Sequence, residues 1–283
     1  MTQMFIQFRA CMILFNAISL KLHDSHFDSR ISSSSSKAVN ELPKEWDWRT
    51  EDVIRTPILN KKRNKVCWAI QTAACIEAQE NIKRKERGEA AEVILSPQSL
   101  IDECPQNKDG SLGNTARAFN CVKDNGIAYL ADYLFSGKRA TLEKVKGSER
   151  LSKDIERLSI SDYYALDNEN ERNDPKLKVR DQEIVGLVRK HPIVEVLEYT
   201  PELGDMIDYT IYKEARKNDK DKIKRYVVLI MGYGEEDGSK YWIFRNSYGT
   251  WCVDGDYGRI EREMPDGRQS LFMSIFMPNR FHI

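Results

Sequence analysis

The spacing of apolar and polar positions changes about halfway along the 283-residue chain. The stretch 70–88, IQTAACIEAQENIKRKERG, has its apolar residues at helical spacing and ends on Gly88, a helix stop signal. It predicts a buried helix with Cys67 at its first turn. Two shorter helices are predicted at 97–103 and 114–124.

Later in the chain the pattern becomes that of strands separated by turn signals. The predicted strands lie at 193–199, 226–234, 240–246 and 256–262. Between the two halves, residues 138–182 are rich in charge and poor in large apolar side chains, and we predict that they run over the surface, partly as loop. Helices followed by strands predict an α+β protein of two lobes, with a ligand cleft between them.

Composition narrows the class of protein. A chain with 41% hydrophobic and 31% charged residues is expected to be a soluble globular protein with a charged surface. Lys and Arg total 44 and Asp and Glu total 44, so no global field favours nucleic acid or an acidic membrane. We therefore expect no nucleic-acid partner.

The N-terminal segment 1–41 is expected to be flexible. Its apolar run at 11–20, CMILFNAISL, is too short to span a bilayer. The run could be the core of a signal peptide, but Asn16 interrupts it and no small-x-small cleavage site follows. A serine run at 32–36 is typical of a linker. Ordered structure is predicted from about residue 42 to residue 283, with no transmembrane segment.

Cys67 is the candidate nucleophile because a thiol at a helix N-terminus lies where the helix dipole favours the thiolate. Lys61 and Lys65 would add to that effect. We expect a solvent-reachable thiol. The alternative interpretation is an inherited, half-buried cysteine with no chemical role.

Five stretches in order along the chain resemble the papain-like cysteine peptidase family. They are LPKEWDWRT (42–50), CWAI (67–70), LSPQSLIDEC (95–104), AFNCVKDNGI (118–127) and LIMGYGEEDGSKYWIFRNSYGTWCVDGDYGRI (229–260). The resemblance covers residues 42–283. It implies a helical left lobe at about 52–158, and an antiparallel β-barrel-like right lobe at about 159–283 that includes the 42–51 strand.

The resemblance also implies a role for each catalytic position. Cys67 falls on the nucleophile and Asn246 on the asparagine that orients the catalytic histidine. The histidine position holds Tyr226, and the position of the oxyanion glutamine holds Lys61. A tyrosine has a reference pKa of about 10, so it is protonated at neutral pH and cannot form the cation of a thiolate–imidazolium pair.

Further positions follow from the same resemblance. It assigns substrate contacts to Gly113, Trp68 and Tyr248. The chain's histidines are at none of the family's catalytic positions, and show no metal-ligand spacing with the cysteines. They are His23, His26, His191 and His282. We expect no metal and no cofactor.

The family's disulfides are expected to be missing. The resemblance places Asn64 and Gly110 where one pair of cysteines would stand, and Cys104 keeps a family position whose partner is absent. This favours an intracellular reducing compartment, with lysosome or vacuole and secretion as the alternatives. Only forty-one residues precede Leu42, so the family's long pro-segment is also expected to be absent.

The predicted function is that of a monomeric papain-family homologue without proteolytic activity, a pseudopeptidase. One alternative is an active cysteine-type endopeptidase that uses Cys67 with an atypical base. Another is a protein-interaction module that binds a peptide or protein ligand in the cleft.

Overall fold

The longest of the described helices, α1 (Cys67–Glu86), lies where the sequence predicts a buried helix and starts at Cys67. The structure, a computed structural model, describes residues 42–59, 65–105, 115–140, 155–167, 180–198, 203, 209–213, 225–247, 257–262 and 272–279. Nearly every residue of α1 as far as Ile82 is buried, so the helix is enclosed by other elements rather than amphipathic. Its last turn is basic, which complements the helix dipole.

Two shorter helices flank α1. The helices α2 (Pro97–Glu103) and α3 (Thr115–Asn125) form at the predicted positions and pack against α1. A proline at the first position of α2 has no N–H to leave unsatisfied there. A fourth helix, α4 (Arg180–Lys190), was not predicted, and it packs against the central strand of the sheet.

The strands form one large sheet and one small one. The described strands are β1 (Trp46–Asp47), β2 (Ile127–Ala128), β3 (Arg157–Leu158), β4 (Tyr163–Asp167), β5 (Ile193–Glu198), β6 (Ile211–Tyr212), β7 (Arg225–Glu236), β8 (Ser239–Arg245), β9 (Tyr257–Glu261) and β10 (Phe272–Pro278). The large sheet has the order β4-β10-β5-β7-β8-β9-β6, with β1 paired to β7, and the pair β2-β3 stands apart. The pairing of β6 with β9 is parallel, and the other described pairings are antiparallel.

The central strand β7 is buried without interruption from Tyr226 to Gly234. A strand covered on both faces needs no polar alternation, which accounts for its continuous apolar run. Gly232 is required where β1 crosses beside it, because a Cβ there would lie 2.1 Å from the Trp46 carbonyl oxygen. The turn to β8 uses Asp237 and Gly238 at φ 51° and 76°, as expected for a two-residue hairpin.

The prediction that the charged segment 138–182 runs over the surface is wrong for part of its length. Its strand β4 lies at the edge of the large sheet, paired with β10. Tyr163 of β4 stacks on Phe119 of α3 with ring centroids 5.2 Å apart. Part of this segment therefore belongs to the packed structure rather than to a surface loop.

The α+β prediction is confirmed by this combination of helices and a mostly antiparallel sheet. Within the described ranges the sheet stays open, since β4 and β6 end its path without pairing to each other. Residues Lys44–Ile283 form one compact unit, and the division into lobes at 158/159 stays a prediction. None of the described helices is long and apolar enough to cross a membrane.

Candidate active site

Cys67 is the first residue of α1, and the residue is 8% exposed. The thiol that was expected to be solvent-reachable is therefore mostly covered. Val66 precedes it and accepts the first backbone hydrogen bonds of the helix, from Ala69 and Ile70 at 3.1 and 3.2 Å. The thiol thus stands at the positive end of the longest helix.

Tyr226 and Asn246 are brought together by the antiparallel pairing of β7 and β8. Leu229 is opposite Arg245 in the register, so Tyr226 near the start of β7 and Asn246 just after β8 lie at the same end of the strand pair. The Tyr226 hydroxyl donates to Oδ1 of Asn246. The backbone N–H of Ser247 donates to the same oxygen at 2.8 Å. Two donors therefore fix the carboxamide.

Gln71 connects this pair to the Cys67 helix. Its Nε2 donates to the carbonyl oxygens of Arg245 and Asn246, both at 3.1 Å. Gln71 is four residues after Cys67, and residues at that spacing share one face of a helix. The face of α1 that carries Cys67 is therefore the one that meets the chain at Asn246.

The chemistry of this cluster is that of a hydrogen-bond donor, joined through Gln71 to the helix that begins with Cys67. A neutral phenol at this position gives its one proton to the asparagine oxygen. Tyr226 is 4% exposed and Ser247 is fully buried, with its Oγ 3.4 Å from the phenol oxygen. Within the described residues this cluster contains no imidazole.

His191, the histidine that the structure describes, lies elsewhere. It is buried after α4, and its Nδ1 is 2.7 Å from the Pro192 carbonyl oxygen. The Cys75 thiol donates to that same carbonyl at 3.3 Å. Cys75 is eight residues beyond Cys67, or about 12 Å along the helix axis. His191 therefore stands beside the middle of α1 and not at its start.

Several predicted site residues lie outside the described residues. These are Lys61, Gly113 and Tyr248. Trp68, assigned to substrate contact, is 4% exposed and its indole nitrogen is buried. Among the described side chains the structure thus brings together Tyr226 and Asn246 at the end of the helix that begins with Cys67.

Sequence reasoning missed Arg245, which is 1% exposed. Its Nη2 donates to the carbonyl oxygens of Thr56 and Pro57 at 2.8 and 3.1 Å. The guanidinium thereby holds the segment that leads toward Cys67 against the strand that leads to Asn246. The sequence feature that could have identified Arg245 is a charged residue at the end of the apolar run of β8.

Glu77 holds the same segment from the other side. Its Oε1 accepts from the backbone N–H groups of Arg55 and Thr56, each at 2.6 Å, and its Oε2 accepts from the Thr56 hydroxyl and from Leu95 N–H. Burial raises the pKa of Glu77, although these hydrogen bonds act in the opposite direction. A buried carboxylate therefore anchors the approach to the site.

The described cysteines form no disulfide. They are Cys67, Cys75, Cys104 and Cys121, while Cys11 and Cys252 lie outside the described residues. Burial raises the pKa of Cys75 far above its usual range, which makes that thiol chemically inert. The described ranges contain no cluster of histidine, cysteine or acidic side chains suited to a metal ion.

Most of the chain matches one known protein family in sequence. The family model described as papain family cysteine protease matches residues 42–272. A cathepsin L-like proteinase of Phaedon cochleariae is 29% identical over 227 residues, covering 80% of this chain and 62% of the relative. A KDEL-tailed cysteine endopeptidase of Arabidopsis thaliana is 29% identical over 245 residues, covering 85% of this chain and 60% of the relative. The chain thus spans about three-fifths of the length of these relatives.

Solved structures agree on the fold. The bromelain protease from Ananas comosus, in complex with the E64 inhibitor, superposes with a TM-score of 0.64 at 21% identity, covering 84% of this chain and 99% of that one. The digestive procathepsin L2 proteinase from the Tenebrio molitor larval midgut superposes with a TM-score of 0.66 at 23% identity. The match covers 84% of this chain and 68% of that one. At these identities the match shows a common fold.

Proposed function

Because the chain belongs to the papain family of cysteine proteases, we propose that it is a non-proteolytic member, a pseudopeptidase. The observation that carries the proposal is the hydrogen bond from the Tyr226 hydroxyl to Asn246 Oδ1. By the sequence resemblance, Tyr226 takes the place of the catalytic histidine. Its phenol makes the hydrogen bond to the asparagine but does not provide the basic nitrogen.

Peptide cleavage by a thiol needs a group that accepts the thiol proton and later protonates the leaving amine. An imidazole can do both near neutral pH, because its two nitrogens can be donor and acceptor at once. A phenol has one proton, and a phenolate forms only near its reference pKa of about 10. Tyr226 is thus suited to hold Asn246 and unsuited to move protons.

Neither His191 nor the residues hydrogen-bonded to Tyr226 supply a base in its place. His191 stands about 12 Å along α1 from Cys67, a spacing that follows from Cys75 donating to the carbonyl next to it. Asn246 and Ser247 do not titrate near neutral pH. Lys61, which by the sequence resemblance takes the place of the oxyanion glutamine, is a cation and not an amide donor.

The sizes of the two expected losses in rate favour a protein without peptidase activity. General acid–base catalysis contributes about 10²–10⁴-fold to a rate. One oxyanion donor contributes about 10²–10³-fold. These losses need not multiply, since such residues act as a unit. Either loss alone would bring an ordinary protease close to its background rate.

The decisive experiment measures hydrolysis of dipeptidyl fluorogenic substrates by the full chain and by Cys67→Ala. We expect the two rates to be equal. Cys75→Ala is the matched control for loss of a buried thiol from the same helix. Turnover by the unchanged chain that disappears in Cys67→Ala and persists in Cys75→Ala would overturn the proposal in favour of an active peptidase.

A gain-of-function experiment tests whether Tyr226 and Lys61 account for the loss of activity. The double variant Tyr226→His with Lys61→Gln restores both family residues and is expected to hydrolyse substrate above the Cys67→Ala background. Tyr164→His adds a histidine at an exposed position of β4 and should not do so. A double variant that folds but stays at background would show that these two substitutions do not explain the loss of activity.

A further inference from the structure

Arg245 is a buried cation that forms no ion pair among the described residues. The residue is 1% exposed and is the last residue of β8, directly before Asn246. A guanidinium has five N–H groups and cannot be deprotonated in a protein, so it cannot lose its charge when it is buried. Arg245 therefore needs both hydrogen-bond acceptors and a negative charge in the protein interior.

The described residues supply acceptors to one of the three guanidinium nitrogens. Nη2 donates to the carbonyl oxygens of Thr56 and Pro57 at 2.8 and 3.1 Å. Nε and Nη1 are buried, and neither has a hydrogen-bond partner in the described structure. These two nitrogens carry three N–H groups. The two carbonyl groups that do accept are neutral and provide no counter-charge.

Glu77 is a buried carboxylate of the same region, but its oxygens are engaged with other donors. They accept from the backbone N–H groups of Arg55, Thr56 and Leu95 and from the Thr56 hydroxyl. Thr56 thus gives its N–H and hydroxyl to Glu77, while its carbonyl accepts from Arg245. Glu77 therefore does not take up the N–H groups of Nε and Nη1.

Other partly buried arginines of this chain do have a carboxylate partner. The Arg259 side chain is 11% exposed, and its Nη1 lies 3.1 Å from Oε2 of Glu236. The Arg157 side chain is 21% exposed, and its Nη1 lies 2.7 Å from Oε2 of Glu103. Arg245 is buried more deeply than either and lacks such a partner among the described residues. The missing negative charge is therefore specific to Arg245.

We infer that the Arg245 guanidinium binds a chloride ion, which accepts a hydrogen bond from Nη1 or Nε and neutralises the buried charge. The ligand must be an anion, because water would satisfy the N–H groups and leave the charge unpaired. It must also be small, because both nitrogens are buried. The inference is independent of the proposed loss of proteolytic activity, because it concerns a bound ion and not the chemistry of Cys67.

The bound ion would stabilise the folded chain. The unfolded chain has no such enclosed site, and a ligand that binds only the folded state raises the free energy of unfolding. At a chloride concentration ten times the dissociation constant, we expect the melting temperature to rise by about 3–5 °C. Arg245 holds the segment at Thr56 against the strand that leads to Asn246, so the ion would strengthen the contact between these two segments.

Thermal unfolding of the full chain in sodium chloride and in sodium gluconate of equal ionic strength tests the inference. We expect the melting temperature to be higher in chloride and to level off as its concentration rises, because gluconate is too large for a buried site. Arg245→Gln should remove the difference between the salts. Arg259→Gln, in which the replaced arginine has Glu236 as its partner, should retain it.

Equal melting temperatures of the unchanged chain in the two salts would overturn the inference. A difference that survives in Arg245→Gln would also overturn it, because the ion would then bind elsewhere.

Crystals of the unchanged chain grown in sodium bromide give a test that does not depend on the folding of a variant. Bromide replaces chloride and is located by its anomalous scattering. We expect an anomalous peak within hydrogen-bond distance of Nη1 or Nε of Arg245. Water or a carboxylate at that position, with no anomalous peak there, would contradict the chloride site.

Discussion

The hydroxyl of Tyr226 donates a hydrogen bond to Oδ1 of Asn246, across the open end of the β7–β8 pair. The Ser247 N–H shares that acceptor at 2.8 Å. The contact joins residues twenty positions apart and fixes both side chains in a part-buried place. It also gives Tyr226 a structural role that can be measured without any assay of catalysis.

Tyr226→Phe should destabilise the protein by about 1 kcal/mol, because it removes a part-buried hydrogen bond and leaves Asn246 Oδ1 with one donor fewer. The measurement is the free energy of unfolding in urea. Tyr233→Phe is the matched control on the same strand, since the Tyr233 hydroxyl is buried without a hydrogen-bond partner in the described structure. That change should be neutral or stabilising.

Equal effects of the two substitutions would contradict the assigned role of the Tyr226 hydroxyl. A larger loss in Tyr233→Phe than in Tyr226→Phe would contradict it more strongly, because both side chains are almost fully buried and both variants lose one oxygen atom.

Gln71→Leu should cost about 1–3 kcal/mol, because the carbonyl oxygens of Arg245 and Asn246 lose a buried donor while volume changes little. Thr72→Val is the control on the neighbouring residue. The Thr72 hydroxyl is buried with no hydrogen-bond partner in the described structure, so its loss should be neutral or stabilising. Urea unfolding measures the free energy of unfolding of both variants. A Gln71→Leu variant as stable as Thr72→Val would mean that the link from α1 to Asn246 contributes nothing.

The elements that could be predicted from the sequence are those whose local pattern matches their final environment. Helix α1 has helical spacing and a basic last turn, and β7 and β8 are apolar runs joined by Asp237-Gly238. Local preference and tertiary packing point to the same structure in these segments. Their positions were therefore predicted to within a few residues.

Helix α4 was missed because its apolar content is small and its N-terminal flank is highly charged. Three buried residues, Ile184, Val185 and Val188, are enough to pack it against the sheet. Edge strand β4 was missed for a similar reason, since it gains its ladder and its stacking on Phe119 only from partners distant in sequence.

The candidate site was predictable in part. The order of motifs indicated Cys67, Tyr226 and Asn246, but no local pattern reveals that Gln71 reaches Asn246 across 175 positions or that Arg245 reaches Thr56 across 189. Such hydrogen bonds depend on the three-dimensional approach of elements. They are the contacts that hold the two sides of the site together.

The last prediction concerns Glu77, whose buried carboxylate holds the backbone of Arg55 and Thr56. Burial raises its pKa in the folded chain above the value of about 4.3 expected for an unfolded glutamate. Between those two values the folded protein binds a proton that the unfolded chain releases. The free energy of unfolding contributed by this group therefore falls as the pH rises through that interval.

Glu77→Gln cannot titrate, so the stability of the wild type relative to this variant should be greatest below about pH 4 and should decrease as the pH rises. Urea unfolding of both proteins across this pH range measures the difference, in which the titration of other groups cancels. Glu86→Gln, at an exposed position of the same helix, controls for the loss of one negative charge. A difference that instead grows with rising pH would show that the hydrogen bonds to Glu77 outweigh its burial, and would reverse the direction of its pKa shift.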